Sequence, residues 1–217
     1  MDKTTASDSK NQGELTARGA QRREALLDAA LRIIVRDGPG AVSLRSVTTE
    51  AKASHGSVVY YFGTREELIR EALVLVANKN VEALAGAWQG LERHSANPSR
   101  LAELIARHSV RQMIEDPQMG ITIFEFHLAA ARYPELTPAL RDWGRAYARI
   151  THKTFSALGS QNPEADSALL TNLISGLVLH QLALKRPDFE SAILRPAVER
   201  LLRSIVEAES RGRSAHS

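Results

Sequence analysis

Cysteine is absent from the chain's 217 residues. This excludes a disulfide framework, Cys-ligated zinc and thiol chemistry, and is compatible with a reducing compartment. Aromatic residues are scarce, at 5%. Leu and Ala dominate instead, a mix that favours helices over strands. No run approaches the ~18 uninterrupted apolar residues of a membrane span. The N-terminal stretch MDKTTASDSKNQGEL has no apolar core and does not read as a secretory signal. Neither sign of charge prevails, since the formal net charge is +3. These absences lead to the expectation of a cytoplasmic protein with no membrane partner.

Recognisable catalytic and metal signatures are also missing. There is no nucleophile elbow, no Gly-rich phosphate loop and no HExxH pair. The seven histidines, at 55, 94, 108, 127, 152, 180 and 216, show no convincing metal-ligand spacing. No metal, cofactor or catalytic residue is expected, and the chain is not expected to be an enzyme.

What is present is a core-forming composition, 43% hydrophobic, and a mild local excess of positive charge. From Lys10 to Arg65 there are nine Lys/Arg against five Asp/Glu, an excess of four. Such a bias suits a nucleic-acid surface, and equally an ordinary solvated one. Residues 1–20 are polar without periodicity and are expected to form a flexible arm.

Next, Leu27, Ala30, Leu31 and Ile34 recur at helical spacing until Gly38 and Pro39. Ser43 and Ser54 are N-cap candidates for short helices over 44–51 and 55–62. Gly63 ends the second, and Thr64 with Glu67 marks a capping box for a long helix over 65–91, with a break expected near 78–80. Further helices are expected over 98–115, 118–133, 138–158, 163–185 and from 188 to about 209, punctuated by prolines. The fold class is therefore all-α, with about nine helices. The expected organisation is an N-terminal arm over 1–20, a three-helix domain over 21–66, a larger helical domain over 67–210 and a flexible tail over 211–217.

The most informative segment is Val42 to Ile69. Val47, Ala51, Val58 and Phe62 can form a small shared core. That arrangement leaves His55, Gly56, Ser57, Val59 and Tyr60 facing outward. A helix-turn-helix has this layout, because its second helix presents short side chains to base edges in the major groove. Ser54-His55-Gly56-Ser57-Val58, Tyr60-Tyr61-Phe62 and Thr64-Arg65-Glu66-Glu67-Leu68, with Arg45, Val47 and Gly38, resemble the signature of the TetR (tetracycline-repressor) family. The motif-level resemblance covers about residues 22–72.

The resemblance implies a dimeric DNA-binding repressor with an effector pocket in its C-terminal domain. By resemblance and by chemistry, Arg45 and Arg65 are expected phosphate clamps, with the helix N-terminus at Arg65 offering its amides to a phosphate. Tyr60 and Lys52 are further phosphate candidates. His55 and Ser57 are base-edge candidates, and Ser54, Gly56 and Val59 complete the expected DNA surface. Two positions depart from the family pattern. Lys52 stands where the family often has Gly, at a cost of roughly 1 kcal/mol if the backbone there is left-handed. Val59 stands where it often has Tyr, so a methyl contact to thymine replaces a polar one.

In the C-terminal part, Trp88, Phe124, His127 and Trp143 are the expected lining of a pocket for a small, mostly apolar effector. Asn172, His180 and Gln181 are polar positions that fit a pocket, a dimer seam or a hydrogen-bonded core. Leu140, Tyr147 and Ile150, then Leu169, Leu173, Gly176, Leu177 and His180, form stripes that suit a homodimer interface or packing within one subunit. The expected partners are pseudo-palindromic double-stranded operator DNA, the effector and a second copy of the chain. The rival reading is a helical ligand-binding or scaffold protein that has lost DNA binding.

Overall fold

The computed structural model describes residues 4–214, with side chains from 17 to 208. The described residues form nine α-helices and no strand, in agreement with the all-α expectation. In chain order they are α1 (Thr4–Asp37), α2 (Leu44–Glu50), α3 (His55–Phe62), α4 (Arg65–Trp88), α5 (Pro98–Met113), α6 (Pro117–Arg132), α7 (Thr137–Ala157), α8 (Pro163–Leu184) and α9 (Arg195–Ser214). The chain divides into two compact units, Met1–Leu75 and Val76–Ser217.

In unit 1 the boundaries follow local chemistry. Gly38, at φ 81, ends α1, and a 3-10 turn over Pro39–Ala41 follows. Ser43 and Ser46 form a reciprocal capping box at the start of α2, each side chain accepting the other's main-chain N–H, at 2.9 and 2.8 Å. Ser54 caps α3 by accepting from the Ser57 N–H at 3.2 Å. Thr64 accepts from the Glu67 N–H, but the Glu67 carboxylate pairs with Arg70, so only half of the expected box forms at α4. Leu26, Leu27, Ala30 and Ile34 of α1 are buried, as are Val47, Val58, Phe62 and Leu68.

One capping device recurs three times in unit 2. Asn97, Asp116 and Asn162 each accept from the N–H three residues on, with proline immediately after the cap. The core gathers Leu84 and Trp88 of α4, Leu101 and Ile105 of α5, Phe155 of α7 and Val198 and Leu202 of α9. A π-helical turn over Glu190–Leu194 leads into α9, where Pro196 has no N–H to give one turn back.

Three expectations differ from the structure. The segment expected as an arm is helical from Thr4, where good helix formers such as Glu14, Leu15 and Ala17 stand without an apolar period to announce them. The tail is helical to Ser214, and residues 1–3 and 215–217 lie outside the described residues. The expected break near residue 80 is absent: α4 is continuous, and Asn80 is buried with its side-chain carbonyl accepting from the Tyr147 hydroxyl.

Candidate functional site

In unit 1, α3 presents its polar and odd-shaped residues to water. Val58 and Phe62 point into the core, one helical turn apart, while Ser54, His55, Gly56, Val59 and Tyr60 are exposed and Ser57 is half-buried. Tyr60 is 82% exposed, an unusual position for an aromatic ring. Gly56 is exposed, and a Cβ there would meet no atom within 4 Å. Packing inside the chain therefore does not require glycine at this position. His55 Nδ1 lies 3.4 Å from Thr48 Oγ1, whose own proton goes to the Leu44 carbonyl at 2.7 Å. With the Thr48 proton so committed, Nδ1–H is the donor in that contact.

Lys52, in the turn between α2 and α3, has φ 48. The turn keeps the left-handed backbone that glycine would adopt freely, and Lys52 carries the strain with its side chain exposed. Arg45 on α2 is exposed, and its guanidinium has no partner among the described residues. Arg65, expected beside it as a phosphate clamp, is built into unit 1. Its Nε donates to the Val42 carbonyl at 2.6 Å and one terminal nitrogen donates to the Pro39 carbonyl at 2.9 Å. The first turn of α4 also carries Glu66 and Glu67, which disfavours a phosphate there.

In unit 2, five helices line a cavity of about 680 Å³ that is open to solvent on one side. It brings together Trp88 from α4, Phe124 and His127 from α6 and Trp143 from α7, all four residues expected as pocket lining. Phe126 stacks on Trp143 at 5.6 Å, and His127 packs on the same indole at 5.6 Å. The Trp143 indole N–H is buried without an acceptor among the described residues. His127 Nδ1 lies 2.8 Å from the Ile123 carbonyl, which can only accept, so Nδ1–H is the donor.

Several polar wall residues were not anticipated. Asn80, only 2% exposed, accepts a hydrogen bond from the Tyr147 hydroxyl. Burial raises the Tyr147 pKa above its ordinary value, against the lowering effect of that hydrogen bond, so the phenol stays protonated. Thr151 and Ser167 share a hydrogen bond at 2.6 Å between α7 and α8. His108 and Gln112 of α5 and Glu164 of α8 complete the polar wall. Burial, then the nearby Arg111 charge, hold His108 below its ordinary pKa of 6.5. The i+3/i+4 pattern of α5 (Leu101, Ile105, His108, Gln112) could have signalled a polar patch on a buried face.

The expected dimer stripes divide. On α7, Leu140 and Tyr147 line the cavity and Ile150 packs on the core of the same chain, because α7's outer face carries Arg141, Arg145 and Arg149. On α8, Leu173 and Leu177 are half-buried, while Gly176 and His180 are exposed and Leu169, Leu179 and Leu184 are 53%, 52% and 68% exposed. Among the described residues α8 is the one helix long and apolar enough to cross a membrane by length and composition, yet only 22% of its most apolar window is buried. Of the polar positions, Asn172 lines the cavity, His180 faces water, and Gln181 bonds the Arg186 main chain at 2.9 and 3.0 Å. Among the described residues, no group of three or more His, Cys, Asp or Glu could hold a metal ion.

Two family models match the chain. "Bacterial regulatory proteins, tetR family" matches residues 26–72 and "Tetracyclin repressor-like, C-terminal domain" matches residues 96–208. Among sequence relatives, the nicotine-responsive transcriptional repressor HdnoR of Paenarthrobacter nicotinovorans is 34% identical over 113 residues, 52% of this chain and 56% of that protein. The chain thus spans little more than half of that repressor's length. Among solved structures, the transcriptional regulator SCO7518 of Streptomyces coelicolor A3(2) superposes with a TM-score of 0.70 at 25% identity, over 84% of this chain and 98% of that one. The multidrug binding protein EbrR, solved with proflavin, superposes at 0.60 and 26% identity, over 83% and 99%. With one family model spanning more than half of the sequence and a second covering the helix-turn-helix, the chain belongs to the TetR family of helix-turn-helix transcriptional regulators.

Proposed function

We propose that the chain is a homodimeric repressor released from its operator by a small, mostly apolar molecule bound in the cavity of unit 2. The observation that carries this reading is the cavity: two indoles, a phenyl ring and an imidazole on a largely apolar wall, with a few fixed polar groups to orient a ligand. Ligand-responsive relatives, HdnoR and EbrR, support it. For induction, the ligand must bind better to the conformation that does not fit DNA; equal affinity for both conformations releases nothing.

The DNA surface of this reading is α3 with its flanking turns. Arg45, Lys52 and Tyr60 meet phosphates, His55 and Ser57 meet base edges, and Val59 meets a thymine methyl. Ser54 holds the start of α3, and Gly56 admits the close approach of a backbone that packing within the chain does not call for. Arg65 is a strut for this surface rather than a part of it. The dimer face is the exposed apolar side of α8 that does not line the cavity, around Leu169 and Leu184. Two-fold symmetry then presents two copies of α3 to half-sites about 34–36 Å apart.

The test is titration of the full chain against DNA from upstream of its own gene at several salt concentrations. Arg45→Ala is expected to weaken binding to all sequences and to lower the salt slope by about one. A chain that binds no DNA at any salt would leave only a helical ligand-binding protein. Light scattering checks the dimer: the wild type is expected at twice the monomer mass and Leu169→Arg at the monomer mass. A wild-type monomer at micromolar concentration removes the α8 face from the proposal.

A further inference from the structure

We propose that the cavity of unit 2 selects apolar organic cations, with the Glu164 carboxylate as their counter-charge. The proposal rests on the cavity being the effector site. It starts from the charges on the wall. No Lys or Arg lines the cavity among the described residues; its ionisable groups are His108, His127, Tyr147 and Glu164.

Two of these four, Tyr147 and His108, are held towards their uncharged forms by burial. The buried Tyr147 phenol stays neutral. Desolvation and Arg111 disfavour the charged form of His108. The Nδ1–H of His127 is committed to the Ile123 carbonyl, so its free ring nitrogen in the neutral form is an acceptor. Glu164 is the one acid on the wall. It is the second residue of α8, exposed, with no hydrogen bond or ion pair among the described residues.

The rest of the wall points the same way. Trp88, Phe124, Trp143 and Tyr147 offer aromatic surface, whose faces attract cations and repel anions. An anion entering here loses its water, finds no cationic partner and meets a carboxylate, which is the costly way to bury a charge. A cation of the same shape loses the same water but gains ring faces, acceptor atoms and Glu164.

The chain contains two tryptophans, Trp88 and Trp143, and both line the cavity. Intrinsic fluorescence of the full-length protein therefore reports on occupancy. Three probes share a triphenyl body: tetraphenylphosphonium, a permanent cation; tetraphenylborate, its anionic counterpart of matching shape; and the uncharged triphenylmethanol. Tetraphenylphosphonium is expected to quench with a Kd at least tenfold below that of tetraphenylborate. Glu164→Gln is expected to weaken the cation about threefold, as suits an exposed carboxylate, and to leave triphenylmethanol unchanged. Equal affinities for the two ions, or a Glu164→Gln protein with an unchanged ratio, overturns the proposal. If triphenylmethanol quenches while the ions show no preference, the cavity still binds ligands and only the charge selection fails. If none of the three quenches, the effector-site reading falls with it.

Discussion

Unit 1 holds its candidate functional side chains out in water on one short helix and one turn, whereas unit 2 turns its own inward from five helices. On α3, exposure is the informative property: Tyr60, His55 and Gly56 are turned to water, and an added Cβ at Gly56 would meet no atom within 4 Å. In the cavity, exposure misleads. Asn80 and Trp143 are buried, and their importance lies in what they face. A surface built for a large polyanion can be assembled from consecutive residues. A pocket for a small molecule needs residues far apart in sequence, from Asn80 to Leu179.

Arg45 and Arg65 give the largest test of that contrast, since Arg45 has no partner among the described residues and Arg65 is tied to two main-chain carbonyls. Arg65→Ala removes two charge-assisted hydrogen bonds to main-chain carbonyls, those of Val42 and Pro39, of which the Pro39 carbonyl keeps the Val42 N–H at 3.3 Å. At the low end, about 1.5 kcal/mol each, unit 1 loses about 3 kcal/mol. Denaturant titration followed by circular dichroism checks it. An Arg65→Ala protein as stable as the wild type, but with a reduced salt slope on DNA, would put Arg65 back among the phosphate contacts.

Two glycines sharpen the same contrast at smaller cost. Gly120, at the start of α6, is packed so closely that an added Cβ would stand 2.2 Å from the Met113 carbonyl oxygen. Gly120→Ala is expected to destabilise unit 2 by about 1–3 kcal/mol through overpacking. Gly56 has open space around it. Gly56→Ala is expected to leave stability unchanged or slightly higher and to weaken DNA binding. Thermal melts and mobility shifts on both variants separate a glycine that serves the inside from one that serves a partner. The contrast fails if Gly56→Ala binds DNA like the wild type.

The sequence made unit 1 legible almost residue by residue because its signals are local. Caps at Ser43 and Ser54, the stop at Gly63 and the 58/62 core spacing all act within a few residues. The strain at Lys52 was open to anticipation through the family resemblance, which often has Gly at that position. The structural bonds of Arg65 are not legible locally because its partners, Val42 and Pro39, are 23 and 26 residues away. In unit 2 the aromatic lining was legible as large residues on apolar helices. The polar wall was not. Asn80 looks like a helix breaker until Tyr147, 67 residues on, supplies its hydrogen bond. Tyr147 and Leu140 fit a dimer stripe by spacing, and only the tertiary arrangement shows that this face of α7 is turned inward.

The smallest expected effect concerns His108, which unlike His55 is half-buried and faces a cavity rather than water. Burial and Arg111 hold its pKa below 6.5, so the folded chain resists a proton that the unfolded chain accepts. The unfolded state then binds more protons as pH falls through 6.5, and stability falls with it until the folded imidazole also protonates. The carboxylates held low by arginines, such as Glu103 beside Arg100, act in a separate window, since their stabilisation is lost only as pH falls below the ordinary value of 4.5. Urea midpoints at pH 7.5 and 5.5 should therefore differ slightly in the wild type and less in His108→Gln. The group most directly opposed to a charged His108 is Arg111, so Arg111→Gln should also shrink the difference, by less, because burial is the larger cause. If the wild type and His108→Gln lose stability in parallel over that interval, His108 titrates as freely as a surface histidine, and the cavity wall is wetter than its burial implies.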